Sequence, residues 1–148
     1  MSATRLTALL LLYLVTATSY AASSADQRSD KLFAVVLNTA RAGDYPGTLD
    51  SVSLLDKKGG RRADRFLVRL LDYYVGEGPT LALDEAITRR GKRMLPLLDT
   101  LRSRNLQCLE EFTNICMSIF PDGRELRNER IEQLTQAIKK GVVLKADN

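Results

Sequence analysis

The sequence predicts an all-α protein of short antiparallel helices, and three observations carry that reading. Apolar residues recur at three- and four-residue spacing in one run after another. Glycine closes those runs, because it takes the left-handed conformation readily. No segment alternates apolar and polar residues long enough to form a half-exposed strand. With 148 residues, 45% apolar and 27% charged, the chain has the composition of one globular domain with a real core.

Met1 to Ala21 has the layout of a cleaved signal peptide. Arg5 supplies the positive start and Leu6 to Val15 (LTALLLLYLV) the apolar centre. Ser19-Tyr20-Ala21 places small residues at the two positions a peptidase reads. A membrane anchor is the competing reading, but the apolar run is too short to span a bilayer. Ser23, Ser24, Asp26, Gln27 and Arg28 follow at once. No cysteine stands at the cleavage point to carry a lipid, and no later stretch is long and apolar enough to span. The expected arrangement is a leader over 1–21 and a single all-helical domain over 22–148, periplasmic or extracellular. Ser-Tyr-Ala suits a bacterial export peptidase. Of 22 basic residues only Arg5 leaves with the leader, so 21 face 18 acidic ones, a net +3.

Within the domain, Ser29 or Asp30 is placed to cap a first helix burying Leu32, Phe33, Val36, Leu37 and Ala40. Gly43 ends it, and Asp44-Tyr45-Pro46-Gly47 is turn chemistry. Thr48 or Asp50 then caps a short helix carrying Leu49, Val52, Leu54 and Leu55, which Lys57-Lys58-Gly59-Gly60-Arg61-Arg62 breaks. A third helix is expected from Arg62 to Val75, with Phe66, Leu67, Leu70, Leu71 and Tyr74 inward; Gly76-Glu77-Gly78-Pro79 follows as a separator.

The stretch from Leu81 to Arg104 is the centre of the chain. Leu83, Ala86, Ile87 and Arg90 share one helical stripe, with Asp84 and Glu85 in a first turn that favours negative charge. Gly91 closes the run. Met94, Leu95, Leu97, Leu98 and Leu101 then form a second stripe, and Pro96 fits the first turn of a new helix because deep inside one it would clash with a carbonyl. Two antiparallel helices joined at Gly91 are expected, with a single helix kinked at Pro96 as the alternative. Gly91-Lys92-Arg93-Met94-Leu95-Pro96-Leu97-Leu98 followed by Leu101 resembles the turn and second helix of a HEAT-like helical repeat, in which Gly closes one helix and Leu-Pro opens the next. The resemblance implies stacked α-hairpins, or an irregular bundle if the stacking fails, and a binding surface without catalytic residues. Leu49-Asp50 and Leu83-Asp84 recur at a spacing of 34, and Gly60-Arg61-Arg62 and Gly91-Lys92-Arg93 at 31. Helical-hairpin repeats have periods of roughly 33 to 47 residues, so the spacing is compatible with a repeat and equally with chance.

Cys108 and Cys116 are expected to pair, as cysteines of an exported chain do. A continuous helix would hold them about 12 Å apart, whereas a disulfide needs Cα atoms within roughly 7 Å. Pairing therefore predicts a turn near Thr113-Asn114; two free thiols facing one core are the alternative. Phe112, Ile115, Met117, Ile119 and Phe120 exceed one helical stripe, and read as core around the disulfide or as a contact patch. Asp122, with Glu125 in capping-box position, opens a last helix along Leu126, Ile131, Leu134, Ala137 and Ile138. Lys139 and Lys140 suit its C-terminus, and Gly141 stops it.

The chain has no histidine, which removes Ser-His and Cys-His nucleophiles and His-based metal sites. Gly59-Gly60 lacks the spacing of a phosphate loop, and no EF-hand pattern occurs. No cofactor or metal is expected. Carboxylate chemistry is what an enzyme could still use, through Glu110-Glu111, Asp84-Glu85, Asp99 or Asp72, although neighbouring carboxylates usually face solvent. The candidate binding residues are two cationic turns, Lys57, Lys58, Arg61, Arg62 and Arg89, Arg90, Lys92, Arg93, which stacked hairpins would bring to one rim. Beside them stand Tyr73 and Tyr74, adjacent, so that only one faces the core. An exported chain without aromatic interleaving is a poor match for nucleic acid. These features point to a non-enzymatic protein-binding module, in concrete form an inhibitor or immunity protein against a toxic effector. The alternatives are an envelope module binding anionic lipid or cell-wall polymer, and a carboxylate-based hydrolase; a homo-oligomer stays open.

Overall fold

A computed structural model describes Ser24 and residues 26–146, so the expected leader lies outside the described residues. Among the described residues there are six α-helices and no strand. Helix α1 covers 26–41, α2 Tyr45–Lys58, α3 Ala63–Arg69, α4 Glu77–Arg90, α5 Leu95–Ser103 and α6 Gly123–Lys139. None is long and apolar enough to cross a membrane.

The helices form two layers. Helices α1 and α2 run antiparallel: the Ser29 hydroxyl donates to the Gly59 carbonyl at 2.5 Å, and Thr48 Oγ1 to Thr39 Oγ1 at 3.0 Å. Helices α2 and α4 run parallel. A Cβ on Gly76, before α4, would meet the Tyr45 ring at the start of α2, while Arg89 and Arg90 at the end of α4 bond Asp56 near the end of α2. Helix α6 lies along the other side of α4, with Arg130 on Asp84 and the Thr80 carbonyl, and the Leu144 amide beyond its end on Thr88 Oγ1. The second layer holds α1, α3 and α5. Phe33 stacks on Phe66 at 4.7 Å, and α5 packs on α3. Helix α5 is antiparallel to α6, because Arg102 near its end reaches Glu132 in the middle of α6 while Leu95 and Pro96 at its start line one depression with Lys139 at the end of α6.

This is a stack of α-hairpins, and its repeat is visible. Helix α2, the Gly60–Arg62 3-10 turn and α3 are matched by α4, the Gly91–Met94 3-10 turn and α5. The helix starts recur at an offset of 32 residues, Tyr45 to Glu77 and Ala63 to Leu95. Gly60 and Gly91 both take positive φ, 64° and 70°, at the hairpin bend, a conformation that suits glycine. Pro96 stands in the first turn of α5, as expected, and not at a kink. One apolar core runs between the layers, from Phe33, Val36 and Leu37 through Leu67, Leu83 and Leu98 to Ile131 and Leu134.

Several local expectations are corrected. Helix α1 is under way before Ser29, which is buried inside it rather than capping it. Asp44, expected in a turn, is the cap of α2: its carboxylate accepts from the Gly47 amide at 3.0 Å, with Pro46 in the first turn. The buried face of α2 is therefore Thr48, Ser51, Val52 and Leu55, leaving Leu49 and Leu54 exposed. Helix α4 starts at Glu77, so Asp84 and Glu85 lie beyond its first turn. Helix α3 ends at Arg69, tightens into a 3-10 turn over Leu70–Asp72 and then extends. That change of phase turns Tyr73 inward and Tyr74 outward, reversing the expected order. In α6, Asp122 occupies the cap position but its side chain makes no capping bond, and Leu126 is exposed while Arg127 takes the buried place.

Candidate functional site

The ends of α2 and α4 lie side by side because the two helices are parallel and of equal length, 14 residues each. Both end in cations, Lys57-Lys58 and Arg89-Arg90, where carbonyl ends favour positive charge. Lys57, Arg61, Arg89, Arg90 and Arg93 thus line one open depression of about 510 Å³. Lys58 and Lys92 are exposed beside it. Arg62 faces the other way, toward Asp26 and Asp30 of α1 at 3.5 and 3.3 Å, over the Phe66 ring.

Two carboxylates organise the cations. Asp56 accepts from Arg89 Nη2 at 2.6 Å and from Arg90 Nε and Nη2 at 3.1 and 2.9 Å. Arg90 Nη2 also donates to the Asp56 carbonyl at 2.6 Å. Asp64 accepts from Arg90 Nη1 and from Arg93 Nη2, the latter at 3.3 Å, with Arg93 Nε 3.1 Å from its other oxygen. The result is a ladder of alternating charge, Arg89–Asp56–Arg90–Asp64–Arg93. Its middle arginine is 10% exposed and serves the fold, whereas Arg89 and Arg93 at the two ends are 51% and 57% exposed. Among the described residues Lys57 and Arg61 form no ion pair. Asp56 and Asp64 escaped the sequence reading, although each stands next to a cationic turn; their pairing across helices depends on the stacking offset.

The tyrosines do not join this face. Tyr73 is buried, and its hydroxyl accepts from the Leu109 amide at 2.9 Å. Burial pushes its phenol above the ordinary value, against the lowering effect of that amide. Tyr74 packs edge-on against Phe120, with ring centroids 6.0 Å apart. Its amide donates to the Ile115 carbonyl at 2.7 Å. Cys108 and Cys116 are disulfide-bonded, with Cα atoms 5.9 Å apart, and the chain between them coils in 3-10 turns broken at Phe112. Phe112 and Ile115 close into the core, whereas Ile119 is exposed.

Two of the six carboxylates weighed for acid/base work, Asp72 and Asp84, are held by arginines. Asp72 is buried and pairs with Arg127, also buried, at 2.7 Å. The second Arg127 nitrogen donates to the Arg104 carbonyl at 2.7 Å. Asp84 accepts from Arg130 Nε and Nη2 at 2.8 and 2.6 Å, yet burial outweighs the arginine and raises its pKa. Asp99, Glu110 and Glu111 are exposed. No protein-family model, curated protein or solved structure matches this chain.

Proposed function

We propose that the chain is an exported, non-catalytic module that acts by covering part of another protein, in concrete form an inhibitor or immunity protein neutralising a toxic effector. The observation that supports this reading is the convergence of Lys57, Arg61, Arg89, Arg90 and Arg93 on one open face, with the outer arginines held by carboxylates. Side chains held in advance lose less freedom when a partner arrives. Like-signed charge on an exposed face also raises the encounter rate with a complementary surface. The Cys108–Cys116 pair suits an oxidising compartment.

The test is the purified domain, residues 22–148, against envelope and secreted proteins, read by size-exclusion chromatography and light scattering. A stoichiometric complex with one protein, kept at moderate salt and lost in the Lys57→Glu/Arg61→Glu double variant, is the expected result. Binding only to anionic vesicles or cell-wall sacculi, released by salt, would move the assignment to an envelope module. Turnover of a substrate by the same preparation would overturn both.

A further inference from the structure

Building on the protein-binding reading, we infer that the basic face is a two-point receptor for a pair of separated carboxylates on an acidic segment of the partner. The ladder decides the number of points. Its centre, Asp56–Arg90–Asp64, sets two carboxylates on one buried guanidinium and so repels a further anion. The solvent-exposed N–H donors of the ladder are at its ends. Arg89 spends one nitrogen on Asp56, and Arg93 turns Nε and Nη2 to Asp64. Both stay half exposed, with the rest of each fork free.

Two cations that form no ion pair, Lys57 and Arg61, share the surface of the ladder. Lys57 lies with Arg89 along the neighbouring groove between α2 and α4, and Arg61 shares the depression with Arg93. A guanidinium beside a second cation suits a carboxylate, which it grips with two parallel N–H bonds. Along the ladder the Asp56 and Asp64 carboxylates stand between the two ends, and their charge opposes one compact anion such as phosphate bridging both. Two acidic side chains on one peptide can take one end each. Asp56 and Asp64 are then positioning residues: they fix the arginines and keep a single anion from the centre.

Blocked peptides carrying one glutamate, or two at increasing separation, test this by NMR titration of the intact domain, observing the arginine Nε–H signals. The best two-glutamate peptide should shift both Arg89 and Arg93 and bind about tenfold more tightly than the one-glutamate peptide, as linked contacts do. Lys57→Glu and Arg61→Glu should each abolish that advantage while leaving the circular dichroism spectrum unchanged. Equal affinity for one and two glutamates, or inorganic phosphate matching the best peptide at the same signals, would overturn the two-point assignment. A stoichiometric protein complex indifferent to these variants would also overturn it while leaving the binding role intact. Peptide binding without any protein complex would instead count against the role.

Discussion

Arg127 occupies a core position of α6 that periodicity alone would give to an apolar residue. It is one of the largest fully buried side chains, and it is there because Asp72 and the Arg104 carbonyl accept its protons. Helical spacing marks the place, one turn before Ile131, but not its occupant, since the partner lies 55 residues away on another element. Removing one member leaves a buried charge unmatched. Arg127→Met or Asp72→Asn should each lower stability by about 3–5 kcal/mol in urea unfolding. The double variant should lose much less than the sum, and additive losses would show that the two do not act as a pair. Asp84 makes the opposite point about charge. Burial raises its pKa although Arg130 opposes the shift. A carboxyl whose folded pKa lies above its unfolded value holds its proton more tightly in the fold. Its contribution is therefore present below the ordinary value of 3.8 and is lost as pH rises through the raised one. The stability of the wild type minus that of Asp84→Asn should fall across this window and level off above it. Glu132, shifted downward chiefly by its Gln136 hydrogen bond and by Arg102, cancels in the subtraction. A difference that rises with pH would refute the assignment.

Among the elements, the segment between α5 and α6 departs most from the stack. It is long, it carries the disulfide, and it is tied to the end of α3 at several points. Tyr73 and Cys116 form an isolated antiparallel bridge, and the Gln107 amide reaches Asp72 Oδ2 at 3.4 Å. The cysteine pair and a turn between them were legible from the expected compartment and from reach. The docking onto Tyr73 was not, because it follows from α3 tightening into a 3-10 turn, which apolar spacing does not report. The same blindness explains the misplaced caps: Asp44 and Asp122 look alike in sequence, and only Asp44 has its carboxylate on a backbone amide. Replacing both cysteines by serine should cost roughly 2–3 kcal/mol by freeing so short a loop in the unfolded chain. The unreduced wild type should weigh two hydrogens less than the reduced form. Gly123, at the start of α6, is held by contact rather than by φ. A Cβ there would stand 1.8 Å from the Met117 carbonyl oxygen, a backbone atom that cannot swing aside. Gly123→Ala should lower stability by about 1–3 kcal/mol. Gly78→Ala, in the first turn of α4 with nothing within 4 Å, should be neutral or gain up to about 1 kcal/mol. Equal effects at both glycines would rule out the contact.

At the scale of the molecule, the two layers share one core, and this bears on how the stack comes apart. A repeat protein whose units touch only their neighbours is free to lose stability from its ends. Here three connections work against fraying. Asp26 and Asp30 of α1 hold Arg62 before α3. The disulfide segment joins α1, through Arg41 on the Glu111 carbonyl, to the end of α3. The chain after α6 returns to α4 through the Leu144 and Ala146 amides. The class and the hairpin at Gly91 were legible because each helix writes its own stripe and its own glycine. The parallel pairing of α2 with α4, which sets the basic face, was hinted at only by two imperfect spacings. Leu37 in α1 and Leu83 in α4 have no solvent exposure, one at the end of the stack and one at its centre. If the connections make the stack a single unit, Leu37→Ala and Leu83→Ala should each cost about 2–5 kcal/mol. Both should shift the urea midpoint without changing the slope, since the same surface is exposed in one step. A lowered slope or a second transition in Leu37→Ala, with Leu83→Ala remaining two-state, would mean that α1 and its neighbour unfold separately from the helices that carry Arg89 and Arg93.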